Sequence, residues 1–287
     1  MENQYLQIAD LAMHVDASLP LPENYLPFKK HDASSSPVCT VRIGDLCVSP
    51  ASPEEKSTLD EAEELAVSNA SDGTHFVQVQ VMRTGDIYAL QASSDWSHAV
   101  LSADCLRPEC PVTVIDKLLM LSFIYAAAMH QVILLHASCI RIGDDGVAFI
   151  GHSGVGKSTH SRLWLSNIPG SSLLNDDQPA VKLETDGTVR LYGTPWSGKT
   201  PCYKSEAAHL RGIFRMVQAP HNQVRPLSPV DLFRELLSSC SMMKSDPGTF
   251  RRIISVLAKV STLVPGSILE NRPEPEAALL AYFQIFR

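Results

Sequence analysis

The stretch GVAFIGHSGVGKSTHSRLW, Gly146 to Trp164, constrains this chain more than any other. Its opening residues, Gly146 to Ile150, are mostly apolar and read as a buried strand, and a glycine-rich turn follows. Lys157, Ser158 and Thr159 then open a run of helical character. Gly151 to Ser158 satisfies G-x-x-x-x-G-K-[ST] at every required position, between the strand and the helix that the pattern demands. Glycines there let successive backbone N–H groups turn inward around phosphate oxygens, and the following helix adds its positive end. Lys157 is expected to bridge the terminal phosphates and the Ser158 hydroxyl to reach a magnesium ion, with Gly151, Ser153, Gly154, Val155, Gly156 and Thr159 completing the nucleotide-binding set.

The chain has 287 residues, room for one large domain or two modest ones at ~100–200 residues each. It is 45% hydrophobic and 19% charged, with net charge −7 and no long basic run, which argues against electrostatic capture of nucleic acid or an anionic membrane. Seven scattered cysteines without C-x-x-C spacing read as free thiols of a reducing compartment. The N-terminus carries no basic segment followed by an apolar core, so no signal peptide is expected. The most apolar stretch, Leu118 to Ile140, is broken by His130, Gln131 and His136 and reads as a buried helix running into a buried strand. A cytoplasmic protein is the expectation. Its oligomeric state is open, and a homo-oligomer is compatible with the sequence.

Residues 1–110 read as a β-rich accessory region of short strands and turns, with hairpin signals at Gly-Asp in TVRIGDLCV and in HFVQVQVMRTGDIYALQAS. Between them the acidic segment SPASPEEKSTLDEAEELAVSNASDG reads as a loop or exposed segment. Residues 111–287 alternate helices and strands: a helix near Thr113–Met129, strand VILLHASCIRI, the phosphate loop and its helix, and strand SSLLNDDQPAVKLE. Strand LRGIFRMVQ, a helix capped by Ser228 and a closing helix PEPEAALLAYFQIF complete the reading. Strands mixed with helices around a phosphate loop argue an α/β fold with a mixed sheet.

The segment LLNDD places Asp176 and Asp177 at the end of an apolar strand downstream of Lys157. Consecutive strand residues point to opposite faces, so one carboxylate is free to hold metal while the other accepts a proton or orders the loop. His136 lies in VILLHASCI, immediately upstream of the loop strand, and its alternatives are a satisfied core histidine or a group beside the phosphates. TPWSGKTPCY, Thr194 to Tyr203, reads as a rigid turn whose Lys199 is suited to neutralise phosphate or substrate charge. Arg211 and Arg215 in LRGIFRM are either similar partners or simply solvated.

Together LHASCIRIGDDGVAFIGHSGVGKSTHS and LLNDD resemble the HPr kinase/phosphorylase family and the related ATP-dependent phosphoenolpyruvate carboxykinases. The resemblance runs over roughly residues 115–285 and leaves out residues 1–110. It implies an α/β (α+β) mixed-sheet, PEP carboxykinase-like nucleotide-binding core. It implies ATP with Mg²⁺ or Mn²⁺, and His136 near the metal or the transferred phosphate. Of the aspartate pair, it implies one metal ligand, with Ser158 and His136, and one general base; we favour Asp177 as the ligand and Asp176 as the base, with the reverse assignment open. LRGIF is similar to an Arg-Gly segment of the HPr kinases, which makes Arg211 a substrate-side candidate beside Lys199. Segments matching the carboxykinases' substrate-binding arginine and lysine are missing, so the expectation is a kinase. It would move the γ-phosphate of ATP to a hydroxyl of a protein, peptide or small metabolite. The rivals are an ATP-binding regulatory module and an ATPase without an acceptor.

Overall fold

The computed structural model describes residues 3–32, 35–46, 55–60, 63–198, 200–242 and 244–286. It divides into two compact units: Met1–His130 with Met242–Arg251, and Gln131–Ser241 with Arg252–Arg287. The boundary therefore lies beyond the shift in composition at 110/111, because the long helix after it belongs with the first unit.

In the first unit, strands β1 (Asn3–Ile8), β2 (Leu11–Asp16), β3 (Lys29–Lys30), β4 (Cys39–Gly44), β5 (Glu55–Asp60), β6 (Glu63–Asn69), β7 (His75–Val81), β8 (Ile87–Ala92) and β9 (His98–Ser102) make one mixed sheet. Its order is β3-β1-β2-β4-β9-β8-β7-β6-β5. The Gly85-Asp86 signal is indeed the turn of the β7–β8 hairpin. The acidic segment expected as a loop is corrected: its described residues pair as strands β5 and β6. Leu65 and Val67 alternate into buried positions there, an inward period of two masked in the sequence by acidic neighbours. Helix α1 (Val112–Ala128) is buried at every position from Leu121 to Ala128, as an apolar-all-round helix must be. The segment at residues 244–251 is tied in by Asp246, whose Oδ2 accepts from the buried Trp96 indole N–H at 3.0 Å. Its Oδ1 accepts from the backbone N–H groups of Gly248 and Thr249.

The second unit contains β10 (Val132–Leu134), β11 (Ala137–Ile142), β12 (Asp145–Ile150), α2 (Lys157–Asn167), β13 (Ser171–Asn175), β14 (Ala180–Leu183), β15 (Val189–Tyr192), β16 (Ala207–Gln218), β17 (Gln223–Pro226), α3 (Pro229–Ser239), most of α4 (Pro247–Leu263), β18 (Gly266–Asn271) and α5 (Pro275–Ile285). The main path of its sheet is β10-β14-β15-β16-β12-β11-β13, and β18 joins β16 and β17. Strands β12, β16 and β18 run parallel, whereas β11–β12 and β11–β13 are antiparallel. The mixed sheet expected of an α/β fold is present. Ser228 caps α3 as anticipated, its Oγ accepting from the Asp231 N–H. Helix α4 and strand β18 lacked a sequence signal strong enough to be picked out.

Two long strands of the sequence reading are each two strands. VILLHASCIRI breaks at Leu135–His136, where β10 leaves to pair with β14 and β11 turns to β12. SSLLNDDQPAVKLE breaks at 176–179, so the aspartates lie in a turn between β13 and β14. Phe149 of β12 anchors the core beneath the phosphate loop, fully buried against the rings of Trp164, Phe214 and His160. Small residues Ala278 and Ala281 let α5 join the same cluster. No helix among the described residues is long and apolar enough to cross a membrane.

Candidate functional site

The parallel trio sets the geometry. Strand β12 ends at Ile150, β16 at Gln218 and β18 at Asn271, so their carboxyl ends open on one edge, where ligands of open α/β sheets collect. The chain turns from Ile150 into the Gly151–Ser158 loop and on into α2. Gly154 and Gly156 sit at φ +80° and +106°, a region side chains rarely enter, and a Cβ on either would meet nothing within 4 Å. That open, left-handed cradle is what a polyphosphate needs to approach backbone N–H groups closely. Gln218 braces the outer side, its Nε2 at 3.4 Å from the Gly154 carbonyl oxygen. A cleft of about 430 Å³ adjoins the loop, bounded among others by Gly154, Thr159, Leu163, Gln218 and Asn271.

Lys157 is folded back over its own loop, donating from Nζ to the carbonyls of Gly151 at 2.8 Å and His152 at 3.3 Å. Burial pushes its ammonium below the usual lysine range, and Arg215 pushes the same way. The carboxylates of Asp177 and Asp176 act in the opposite sense and favour the charged ammonium. Ser158 is half-buried, while Ser153 and Thr159 are exposed and Val155 is buried under the loop.

The acid turn is built by a residue that pattern reading passed over. Asn175, fully buried, accepts at Oδ1 from the backbone N–H groups of Asp177 and Gln178, both at 2.9 Å. Its Nδ2 donates toward Thr194 Oγ1 at 3.1 Å and the Trp196 carbonyl at 3.0 Å. One amide thus clamps the turn to the loop after β15. That loop closes over it: a Cβ on Gly198 would lie 3.3 Å from the Asp176 carbonyl oxygen. The signal was the Asn immediately before two acids, an Asx-turn former.

The two aspartates of the turn diverge. Asp176 is buried and accepts from Ser138 Oγ at 2.6 Å. Asp177 is about a third exposed, and its Oδ1 lies 2.9 Å from His136 Nδ1. His136 stands at the break between β10 and β11, its backbone N–H donating to the Ser239 carbonyl, and with its side chain 40% exposed it is not a core histidine.

The structure brings His136, Lys157, Asp176 and Asp177 together and does not bring Arg211. Arg211 is exposed and donates from Nε to Asp145 Oδ1 at 2.5 Å, at the start of β12 and the end opposite the loop. The register explains it: Ile150, the residue before the loop, pairs with Arg215. Of the two arginines, Arg215 is the one at the loop; its Nη1 stands 2.9 Å from where a Gly151 Cβ would be, and its Nε donates to Glu235 at 2.7 Å. Lys199 lies outside the described residues, as does Cys47; the remaining cysteines, from Cys39 to Cys240, are free thiols.

Among the described residues no three His, Cys, Asp or Glu converge as a metal cage. A magnesium ion on a phosphate chain does not require one: it takes one or two carboxylates with substrate phosphates and water. The donor set of Ser158 and Asp177 beside an open glycine cradle fits that demand.

No protein-family model matches this chain. No curated protein matches it. Among solved structures, the chain is similar to the Hpr(Ser) kinase/phosphatase from Coxiella burnetii, at 15% identity over 52% of this chain and 86% of that one, with a TM-score of 0.31.

Proposed function

We propose that the second unit is an ATP-dependent kinase with a PEP carboxykinase-like core, transferring the γ-phosphate to a hydroxyl of a protein, peptide or small metabolite. What supports the reading is that Asp176 of the acid turn is hydrogen-bonded through Ser138 to Ser161 on the helix that begins at Lys157, beside an open glycine cradle. The loop N–H groups and Lys157 would hold the β- and γ-phosphates, and the cleft of about 430 Å³ would take the nucleoside. Ser158 and Asp177, with His136 beside Asp177, would hold a divalent cation. Bound there, the cation supplies neutralisation of charge on the phosphate oxygens.

Asp176 accepts the proton as the acceptor O–H bond breaks. The oxygen forms its bond to the γ-phosphorus, the bond to the β–γ bridging oxygen breaks, and ADP leaves with that electron pair. Positioning and charge neutralisation do most of the work in such a transfer. Among the described residues, Lys157 and Arg215 are cations suited to neutralise charge on the equatorial oxygens. The test is product analysis with γ-labelled ATP, Mg²⁺ and cell extract, comparing wild type with Lys157→Ala and Asp176→Asn. A labelled acceptor absent from both variants supports the kinase. Label appearing only as free phosphate would make the chain an ATPase, and no turnover with intact binding would make it a regulatory module.

A further inference from the structure

Between α2 and β11, three polar groups are buried together: Ser161 at 1% exposure, Ser138 at 0% and Asp176 at 7%. Ser138 Oγ lies 2.6 Å from Asp176 Oδ1 and 2.6 Å from Ser161 Oγ. The directions of these bonds follow from valence. A carboxylate only accepts, so Ser138 commits its single proton to Asp176, and Ser161 must donate its own to Ser138. Oδ1 of Asp176 is thereby occupied, while Oδ2 has no hydrogen-bond partner among the described residues.

We propose that Ser138, backed by Ser161, is a positioning residue that leaves Asp176 one working oxygen, Oδ2, and fixes where it stands relative to the phosphate loop. The proposal rests on the kinase reading of Asp176 as proton acceptor. Its mechanical logic lies in where the serines sit. Ser161 is one turn after Ser158 on α2, the helix that begins with Lys157, so the chain of hydroxyls references the carboxylate to the element that carries the phosphates. Ser138 is two residues after His136, which immediately precedes β11, so the strand that carries Ser138 begins beside the His136–Asp177 pair. During transfer, the proton leaving the acceptor hydroxyl goes to Oδ2, because Oδ1 already receives Ser138's proton. Ser161 and Ser138 keep their own protons throughout. Two serines that merely satisfied one another in a core would not need the carboxylate; here the direction of donation ends on it.

The experiment measures Mg·ATP affinity by calorimetry and γ-phosphate transfer from labelled ATP at saturating nucleotide, in the full chain. It compares wild type with Ser138→Ala, Ser138→Thr, Ser138→Cys and Ser161→Ala. Ser138→Ala is expected to bind Mg·ATP within about twofold of wild type while transfer falls on the order of 10–100-fold, part of what a positioned general base contributes. Ser138→Thr restores most of the rate because the hydroxyl returns, and Ser161→Ala loses only a few-fold. If Ser138→Ala does not fold, Ser138→Cys, with similar volume and a weak donor, carries the same expectation of unchanged affinity and reduced rate. Transfer by Ser138→Ala or Ser138→Cys at the wild-type rate overturns the positioning role alone. A loss of affinity matching the loss of rate, or no rescue by Thr, makes the serine structural and also overturns it. Wild type that binds Mg·ATP and transfers nothing overturns the kinase reading and this proposal together.

Discussion

Replacing Asn175 tests whether the acid turn is held by one amide. In Asn175→Ala the backbone N–H groups of Asp177 and Gln178 lose their acceptor, and the Thr194 and Trp196 oxygens lose their donor. An orphaned buried donor costs about 1–3 kcal/mol, and since Asp177 and Gln178 are only half-buried, the sum is about 2–4 kcal/mol. For a unit of this size that lowers the melting point by about 5–10 °C. Asn175→Asp sharpens the test because it keeps the acceptor. Its second oxygen, however, would face the Thr194 and Trp196 carbonyls and a Thr194 Oγ1 whose proton already goes to the Gln178 carbonyl at 2.7 Å. Ionised, that side chain is repelled by all three oxygens, so at neutral pH Asp should destabilise at least as much as Ala. The gap from wild type should narrow as pH falls and the new carboxyl protonates, since its folded pKa lies above its unfolded one. Urea unfolding followed by Trp fluorescence and circular dichroism reads the effect. A loss under about 1 kcal/mol in Asn175→Ala, or a neutral Asn175→Asp at pH 7, would refute the clamp.

Three further outcomes follow from the site and its surroundings. Lys157→Met should weaken Mg·ATP binding by about 10–100-fold, the value of a charge-assisted bond to phosphate, while thermal stability holds or rises because a desolvated ammonium is removed. Calorimetry and a melting curve separate the two effects. His160 is pushed down to about 3 by burial, with its Nε2 accepting from the Trp164 indole N–H. A histidine depressed in this way contributes stability that is complete above its unfolded pKa and is lost as pH falls from about 6.5 toward 3, at up to about 1.4 kcal/mol per pH unit. In His160→Gln, the slope of unfolding free energy against pH over that window should flatten accordingly. The His136–Asp177 pair is more than a third exposed on the histidine side, so a double-mutant cycle on stability should give a coupling below about 1 kcal/mol. A larger value would mean the pair is structural rather than a site kept open for ligands.

What was legible in the sequence was local. The phosphate loop is a contiguous eight-residue pattern whose glycines have a backbone reason, and Ser228 and the Gly85 turn are read from single residues. The acids of the turn stood out because two adjacent carboxylates end an apolar strand. What was not legible depends on pairing. Arg211 and Arg215 are four apart on one strand, and only the register of β16 on β12 decides that Arg215 reaches the loop. Strand β6 was hidden by the acids Glu63 and Glu64 at its start, of which Glu63 is buried, and the break at His136 arises because β10 and β11 follow different partners. Ser138 carries no local mark; its importance comes from a helix and a turn that fold onto it from 23 and 38 residues away.

The most direct measurement is a calorimetric titration of the full chain with Mg²⁺ and a non-hydrolysable ATP analogue, beside Lys157→Met. Saturable binding at one site per chain, weakened by at least tenfold in the variant, is the predicted result. No binding, or binding that Lys157→Met leaves unchanged, would contradict the assignment of the Gly151–Ser158 loop as a working phosphate site.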